Sequence, residues 1–391
     1  MSDNTTPDID TIDFDSLEWK HEENTSKDPR AVKMAAECRR RLTEATVKIA
    51  SQTNPETRGL ILSGGVDTCA ILDAAASKGI TFALAITVVI GDKSPDELYA
   101  KYAAQKHGLK HSIIRMSPQE LVDVHLPRTI KTLQVWDGMT IRNSLVISAA
   151  FEEAQKHGLT DVLVGDGADE LFGGYSFTWG KKDDPVGWKE KRDSMCRQWT
   201  FATDDLAESY GLVAHAPYED QELMVDWALD ETQRQDCVAD DRCLIQLTMG
   251  APYEVHTTGK VLLREAFQTG SSWRRKDPIE VGSGATVIGK DPYWTTNGIS
   301  DEEFETEAAK LKDRGVIIKS KEYLVNIRIY QDVFGGIVHP TKKRLPIGEG
   351  CVGCCFEIGD RMFCHQCGAW PAQRWKVAEM EKEKEESNNN R

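Results

Sequence analysis

The chain lacks any apolar run that approaches the roughly 20 residues a membrane helix needs. Its N-terminus also lacks the basic and then apolar layout of a secretory signal. No internal repeat is visible in the 391 residues. These absences predict a globular, non-repetitive protein with no membrane association and a cytoplasmic location.

Positive charge is scarce. The 48 Lys and Arg residues stand against 63 Asp and Glu residues, which gives a formal net charge of −15. Such a chain repels a polyanion unless its basic side chains gather on one face. The charge therefore weighs against nucleic acid as a partner.

Both ends of the chain are poor in core-forming residues. Residues 1–31 are polar and acidic, and we predict a disordered arm in which Phe14, Leu17 and Trp19 could serve as a docking peptide. Residues 377–391 are charged and of low complexity, and we predict a disordered tail.

Between the ends, apolar strand-like runs alternate with helical spacing as far as Val164. Alternating strands and helices predict a parallel sheet covered by helices on both faces. From about Tyr175 to Phe334 the strand signals fade and helical patterns dominate. The predicted fold class is α/β, a doubly wound and mostly parallel sheet with a helical C-terminal half and a small Cys-rich tail.

A glycine-rich turn, Ser63-Gly64-Gly65-Val66-Asp67-Thr68, directly follows the apolar run GLIL. Glycines there let backbone N–H groups approach a phosphate, and the next helix directs its positive end at the same place. The lysine of the G-x-x-x-x-G-K-[ST] loop is absent, which argues against ordinary γ-phosphate transfer. Two hydroxyls and a carboxylate suit pyrophosphate and a magnesium ion instead.

A second glycine-rich turn, GDGADELFGGY from Gly165 to Tyr175, follows the strand-like run DVLV. Ligands of doubly wound sheets bind at the carboxyl ends of strands. Asp67 and Asp169 would therefore offer carboxylate oxygens to one magnesium ion from two sides.

The pair of motifs, SGGVDT and GDGADELFGGY, resembles the synthetase domain of the asparagine synthetase family. This is the branch of the PP-loop, HUP-like ATP pyrophosphatases that also contains β-lactam and carbapenam synthetases. The resemblance extends through TIRN, VLLREAF and WRRK and covers residues 32–335. It implies an ATP- and magnesium-dependent ligase that adenylates a small-molecule carboxylate, releases pyrophosphate and transfers the acyl group to ammonia or an amine.

The resemblance also implies roles for particular residues. Lys276 matches the catalytic lysine, Asp166 an acidic position at the reacting centre, and Arg142 lies in the segment that helps to bind the substrate or pyrophosphate. An arginine there could pair bidentately with a carboxylate. The implied nucleotide-binding residues are Ser63, Gly64, Gly65, Asp67, Thr68 and Gly165, and the implied magnesium ligands are Asp67 and Asp169.

Two departures from the family pattern bear on the substrates. Only about 30 polar residues precede the family-like region, so no glutaminase domain is expected, and nitrogen would come from free ammonia, a separate glutaminase chain or an amine on the substrate. The family usually has an acidic residue and an arginine where Val213 and His215 stand here. Aspartate as the substrate is therefore doubtful, and His215 is either a base or a structural residue.

Five of the ten cysteines lie between positions 351 and 367. Two C-x-x-C pairs, Cys351 with Cys354 and Cys364 with Cys367, have the spacing of a tetrahedral zinc site. Cys355 and His365 are alternative ligands. We predict a zinc-binding module over 336–376, which either only folds the tail or docks a protein, a carrier or RNA.

Two other functions compete with the ligase hypothesis. A phosphate loop combined with zinc-binding cysteines is also found in PP-loop enzymes that modify tRNA or bases. A catalytically degenerate synthetase domain that serves as a partner module is the third alternative, which rests on the altered segment at Val213 and His215.

Overall fold

A computed structural model describes residues 24–180, 184–245, 253–268 and 272–389. Most of the predicted N-terminal arm, including Phe14, Leu17 and Trp19, lies outside these ranges. The chain divides into two compact units. Unit 1 comprises residues 1–115 and 150–284, and unit 2 comprises residues 116–149 and 285–391.

A five-stranded sheet organises the fold, in the order β3-β2-β1-β4-β5. The β1–β2, β1–β4 and β4–β5 pairs are parallel. A separate antiparallel pair is formed by β6 and β7. The predicted α/β class with a mostly parallel sheet is thereby confirmed. The strands are β1 (Arg58–Ile61), β2 (Leu84–Ile90), β3 (His111–Met116), β4 (Asp161–Leu163), β5 (Val213–His215), β6 (Ala239–Ile245) and β7 (Tyr253–Thr258).

Helices flank and follow the strands. In the described residues they are α1 (Pro29–Ala50), α2 (Val66–Ala76), α3 (Pro95–Lys106), α4 (Pro118–Leu133), α5 (Gly138–Lys156), α6 (Ala168–Phe172), α7 (Ser176–Trp179), α8 (Pro185–Cys196), α9 (Ala202–Ser209), α10 (Asp226–Glu231), α11 (Arg234–Cys237), α12 (Val261–Ala266), α13 (Ile279–Gly282), α14 (Asp291–Thr296), α15 (Asp301–Asp313), α16 (Lys321–Phe334) and α17 (Arg374–Asn389). Short 3-10 turns cover Pro217–Glu219 and Ala285–Gly289, and a π-helical turn covers Gln221–Val225.

A two-residue signal fixes where several of these helices begin. A capping side chain accepts a hydrogen bond from a free backbone N–H of the first turn, and the following proline already has the helical φ. The pairs that do this are Asp28-Pro29 at α1, Ser94-Pro95 at α3, Ser117-Pro118 at α4 and Asp184-Pro185 at α8.

The core of unit 1 lies on the sheet. All seven residues of β2 are buried, as expected of a strand covered on both faces. Helices α1 and α2 add side chains such as Leu42, Ile71 and Leu72. This packing fixes the carboxyl ends of the strands, from which the two glycine-rich turns emerge.

The structure differs from the sequence expectation in three strands and one helix. The region from Tyr175 to Phe334, predicted to be helical, also contains β5 and the β6–β7 pair. Residues 374–389 form a helix where we predicted a disordered tail from residue 377. Its Lys, Glu and Ala residues favour helix even without an apolar face. No described helix is long and apolar enough to span a membrane.

Unit 2 combines the region from α4 into α5, the helices α14 to α17 and the Cys-rich segment. The Cys-rich segment is therefore part of this unit. A backbone hydrogen bond joins it to the segment that precedes α16: the Ile317 N–H donates to the Gly353 oxygen at 2.8 Å.

Candidate active site

The two glycine-rich turns lie side by side because β1 and β4 are neighbours in the sheet. From β1 the chain turns to β2 on one side, while β4 and β5 extend the sheet on the other. Such a reversal of strand order leaves a crevice at the carboxyl ends of the two central strands, where ligands of open α/β sheets bind.

The first turn is held tightly against α3. Gly64 has φ of +69°, and a Cβ there would lie 2.4 Å from the Ala100 nitrogen, so only glycine fits. Gly65 caps α2, and its N–H donates to the Ser63 hydroxyl at 3.3 Å. The Ser63 and Thr68 hydroxyl oxygens are 3.4 Å apart. These groups surround the N-terminus of an 11-residue helix, which is suited to an anion.

The second turn contacts the first. A Cβ at Gly165 would lie 3.0 Å from the Asp67 Cβ, and Gly167, at φ of +88°, caps α6. Gly174 is required by another contact, because a Cβ there would lie 1.7 Å from the Asp169 carboxylate and 2.5 Å from Lys260 Cε. Gly174 thus makes room for a lysine.

Lys260 joins the two predicted magnesium ligands. Its ammonium lies 2.7 Å and 2.6 Å from the Asp67 carboxylate oxygens and 2.8 Å from Asp169 Oδ1. Its backbone N–H donates to the Phe172 oxygen at 2.9 Å, at the end of α6. The side chain is 2% exposed. A buried ammonium therefore holds together the turns after β1 and β4.

Lys276 completes a cluster of two carboxylates and two ammonium groups. Its Nζ lies 2.7 Å from Asp169 Oδ1, and its side chain is 27% exposed. Burial alone would raise the pKa of Asp169, but the ammonium groups of Lys260 and Lys276 outweigh it and lower that pKa below its usual range. Burial would lower the pKa of Lys260, yet Asp169 and Asp67 raise it. Of the two ammonium groups, Lys276 is the one open to a ligand.

Arg274 anchors the segment that carries Lys276. Its guanidinium donates to the Ser63 backbone oxygen at 3.1 Å and to Asp96 Oδ1 at 2.6 Å. It also lies 4.4 Å from the centre of the Tyr99 ring, within cation–π range. This buried arginine fixes the WRRK segment to the first turn and to α3.

Carboxyl groups with raised pKa values line the second turn. Burial, with repulsion from nearby carboxylates, raises the pKa of Asp166 to about 6 and those of Glu170 and Glu219 to about 7. Asp166 accepts a hydrogen bond from the Thr203 hydroxyl. A carboxyl with a pKa near neutrality is suited to proton transfer.

Val213 and His215 lie on the short strand β5. The Nε2 atom of His215 is 2.8 Å from Asp161 Oδ1, on the neighbouring strand β4. This cross-strand pair favours the structural interpretation of His215 over a role as a base.

Arg142 belongs to unit 2, whereas the other predicted catalytic residues and the predicted nucleotide-binding and magnesium-binding residues belong to unit 1. Its Nε lies 3.2 Å from Oε1 of Glu322, a residue of α16. Gly289 packs against the guanidinium, since a Cβ there would lie 2.0 Å from Nη1. Burial raises the pKa of Glu322 to about 8 although Arg142 opposes the shift.

Four sulfur atoms of the Cys-rich segment converge. The Sγ atoms of Cys351, Cys354, Cys364 and Cys367 lie within 4.8 Å of one another. The distance from Cys351 to Cys367 is 3.6 Å and that from Cys354 to Cys364 is 3.7 Å. A regular zinc tetrahedron with Zn–S bonds of about 2.3 Å has edges of about 3.8 Å, so the set fits that ion.

The two alternative ligands lie elsewhere in the same segment. The Cys355 thiol donates to the Gly315 oxygen at 3.3 Å. His365 packs edge-on against the Phe363 ring, with centroids 5.2 Å apart. Neither belongs to the converging set.

The Asp67 and Asp169 carboxylates also fit magnesium, because both already converge on one cation and consist of the hard oxygen ligands that this ion prefers. Lys260 takes that cation position in the structure. A magnesium ion bound by these two aspartates would therefore require Lys260 to move or to share its partners.

Replacing Lys260 with methionine is expected to make stability dependent on divalent cations. The change leaves two neighbouring carboxylates without their buried partner, which costs about 3 kcal/mol of unfolding free energy in chelator. Magnesium should restore more stability to the variant than to the wild type. Denaturant unfolding with and without magnesium measures this, and Lys48→Met is the control, since Lys48 is exposed and pairs with Asp220. If magnesium stabilised Lys260→Met and the wild type equally, Asp67 and Asp169 would not be the magnesium ligands.

Sequence reasoning missed Lys260 and Arg274. Lys260 directly precedes the recognised motif VLLREAF, and Arg274 lies within the recognised motif WRRK. Two observations could have indicated Lys260. It follows a glycine at the start of a helix, and the two predicted aspartates require a positively charged partner.

The sequence model of the asparagine synthase family matches residues 38–236, just over half of the chain. A probable glutamine-hydrolysing asparagine synthetase of Dictyostelium discoideum is 24% identical over 307 residues, which are 71% of this chain and 52% of that protein. A putative glutamine-hydrolysing asparagine synthetase of Methanocaldococcus jannaschii is 35% identical over 119 residues, 30% of this chain and 21% of that protein. Asparagine synthetase B of Escherichia coli is 26% identical over 252 residues, 62% of this chain and 41% of that protein.

Two glycine-rich turns at the switch point of a parallel sheet define an open α/β protein whose ligand crevice lies at the carboxyl ends of β1 and β4. The chain belongs to the asparagine synthase family. It spans about half the length, or less, of the relatives named above. The solved structure of NMN synthetase from Francisella tularensis aligns with 37% of this chain over 58% of its own length, at 17% identity and a TM-score of 0.26. That similarity is too low to support an argument.

Proposed function

We propose that this chain is an ATP-dependent, AMP-forming ligase that adenylates a small-molecule carboxylate and transfers the acyl group to ammonia or an amine. The observation that carries the proposal is the cluster of Asp67, Lys260, Asp169 and Lys276 between the two glycine-rich turns. Membership of the asparagine synthase family supports the same reaction class.

The first turn is proposed to hold the phosphates of ATP. The Ser63 and Thr68 hydroxyls and the Gly65 N–H lie together at the start of α2, beside the close contact of Gly165 with Asp67. Hydrogen-bond donors at a helix N-terminus stabilise anions without reorganisation. Asp67 and Asp169 would hold magnesium, which when bound neutralises phosphate charge.

Lys276 is proposed to stabilise charge at the reacting phosphate. The partly exposed ammonium is oriented by Asp169 and by the anchored segment around Arg274. In the proposed reaction a substrate carboxylate oxygen bonds to the α-phosphorus and pyrophosphate leaves. An amine then attacks the acyl carbon, and AMP leaves with that oxygen. A fixed positive charge lowers the energy of both crowded anionic states.

Asp166 is proposed to accept the proton of the incoming amine, and its replacement gives a test by pH. Asp166→Asn is expected to lower kcat about 100-fold. Because the base must be ionised, the wild-type rate should rise as the pH passes the Asp166 pKa of about 6. The variant should lose this rising limb of the pH–rate profile. Asp204→Asn is the control. It removes a neighbouring charge that raises the Asp166 pKa, so the limb should move to lower pH but persist. An unchanged limb in Asp166→Asn would contradict the role.

Two further parts of the proposal concern metal and substrates. The four converging cysteines are proposed to bind zinc. Arg142 is proposed to pair with the substrate carboxylate. The proposed nitrogen source is free ammonia, a separate glutaminase chain or an amine on the substrate, and a carrier is a further candidate partner.

Exchange of labelled pyrophosphate into ATP tests the proposal. The full chain with magnesium is assayed against a panel of amino acids and other carboxylates, and Lys276→Met is the matched negative. Exchange that depends on one class of carboxylate supports adenylation. No exchange with any carboxylate, together with no AMP formation on adding amines, would falsify it.

One observation favours a second candidate, a non-catalytic partner module. Lys260 already neutralises Asp67 and Asp169, which is the arrangement expected of a domain that no longer binds magnesium. Calorimetry distinguishes the two. ATP binding that requires magnesium supports the ligase, and its absence supports the module.

A further inference from the structure

The Cys-rich segment is joined to the start of the helix that carries Arg142. Gln366 lies between the converging cysteines Cys364 and Cys367 and is 1% exposed. Its backbone oxygen accepts from Trp136 N–H at 2.9 Å, and its Nε2 donates to the Gln134 oxygen at 2.7 Å. The turn that presents two of the four sulfurs is therefore bonded to the connector between α4 and α5.

The next residue of that connector caps α5. Asp137 Oδ2 accepts from the Thr140 N–H at 2.9 Å and from its hydroxyl at 2.6 Å. Asp137 Oδ1 accepts from the Tyr323 hydroxyl at 2.8 Å. Gly368 lies directly against this carboxylate, since a Cβ there would be 1.9 Å from Oδ1. The Cys-rich turn thus supports the capping group of the helix on which Arg142 lies.

The other cysteine pair is joined to the helix that carries Glu322. The Gly353 oxygen, between Cys351 and Cys354, accepts from Ile317 N–H at 2.8 Å. Ile317 lies four residues before the start of α16 at Lys321. Gly138, the first residue of α5, in turn packs on Glu322, with a hypothetical Cβ 2.6 Å from Oε2. The turn with Cys364 and Cys367 is therefore bonded to the segment just before α5. The turn with Cys351 and Cys354 is bonded to the segment just before α16.

We propose that a metal ion bound by Cys351, Cys354, Cys364 and Cys367 acts as a clamp that positions the Arg142–Glu322 pair. A segment of this size has little core of its own, and a structural zinc supplies the folding free energy that holds it in one conformation. Without the ion, the turns at Gly353 and Gln366 lose that constraint. The starts of α5 and α16 then lose their backbone partners together.

The clamp has a functional consequence that rests on the proposed function. If Arg142 binds the substrate carboxylate, a displaced α5 start weakens substrate binding and leaves the phosphate-binding residues of unit 1 unchanged. Loss of the metal should then raise KM for the carboxylate and not for ATP. The structural part of the clamp does not depend on this step.

Gly368→Ala is designed to disturb the contact between the Cys-rich turn and Asp137 without removing a metal ligand. The added methyl group collides with the Asp137 carboxylate while all four cysteines remain. Gly359→Ala is the control. Gly359 also has positive φ, +54° against +69° for Gly368, lies in the same segment, and has no atom within 4 Å of an added Cβ.

Hydrogen–deuterium exchange on the full chain tests the proposal, with zinc content measured on the same samples. The amides of residues 136–141 should exchange about tenfold faster in Gly368→Ala, the equivalent of one net hydrogen bond, while zinc stays at one ion per chain. Gly359→Ala should match the wild type. If Gly368→Ala does not fold, wild-type protein stripped by chelator and then reloaded with zinc salt alone gives the same comparison.

Unchanged exchange at residues 136–141 in both Gly368→Ala and stripped protein would overturn the clamp, as would failure of the chain to bind any metal. Faster exchange supports the clamp even where no ligase activity is found. Missing pyrophosphate exchange in protein with normal protection at 136–141 would count against the proposed function alone. The two proposals therefore fail separately.

Discussion

Lys276→Met is expected to lower ATP–pyrophosphate exchange at least ~100-fold, the loss typical of removing one preorganised charge-stabilising donor. The two lysines of the cluster have different roles. Lys260 is enclosed, with a side chain that is 2% exposed, and holds the turns together, whereas Lys276 is 27% exposed and can reach a ligand. The variant should retain its fold, because Lys260 still neutralises both aspartates.

Arg275→Met is the matched control for Lys276→Met. It removes a positive charge from the adjacent, exposed position of the same loop. Exchange in this variant should stay close to wild type, and thermal unfolding of both variants should be similar. Strong exchange activity in Lys276→Met, with the protein folded, would remove this lysine from the reacting centre.

Cys364→Ser is expected to abolish stoichiometric zinc binding and to unfold the Cys-rich segment. A serine hydroxyl is a poor replacement for a thiolate ligand, and zinc contributes about 10 kcal/mol or more to the folding of small domains. Elemental analysis of the purified chain and thermal unfolding with and without chelator measure the two effects.

Cys355→Ser makes the comparison specific to the converging set. Cys355 adjoins the proposed ligand Cys354 and is just as buried, but its thiol donates to the Gly315 oxygen, a bond that serine can also make. This variant should keep its zinc and most of its stability. Equal zinc loss in both variants, or zinc retained in Cys364→Ser, would show that the ligand set is wrong.

The alternation of strands and helices as far as Val164 was predictable because local signals define these elements. Ser94-Pro95 and Ser117-Pro118 are strong helix starts, and the run LAITVVI of β2 is what a strand buried on both faces requires.

The missed strands have a physical reason. Strand β5 has three residues, fewer than a period-2 pattern needs to be recognised, and it forms only because β4 offers an unpaired edge. Strand β6 reads ADDRCLI, where charged residues interrupt any alternation. Strand β5 also depends on a partner far away in sequence, since Val213 pairs with Asp161, and a local pattern does not contain that partner.

The candidate site was predictable in part. The motifs led to Asp67, Asp169 and Lys276, which the structure brings into one cluster. Gly174, near the end of the second turn, leaves space for the Asp169 carboxylate and Lys260. A lysine 86 positions further along the chain cannot be assigned to that space from the motif itself.

The products of ATP cleavage test the central claim most directly. Phosphorus NMR of ATP turned over by the full chain, with magnesium, an amine and a carboxylate that supports exchange, identifies the bond that is broken. The proposed adenylation yields AMP and pyrophosphate in equal amounts, with an ¹⁸O label from the substrate carboxylate appearing in AMP. ADP and inorganic phosphate as the products, or AMP without the label, would contradict carboxylate adenylation at this site.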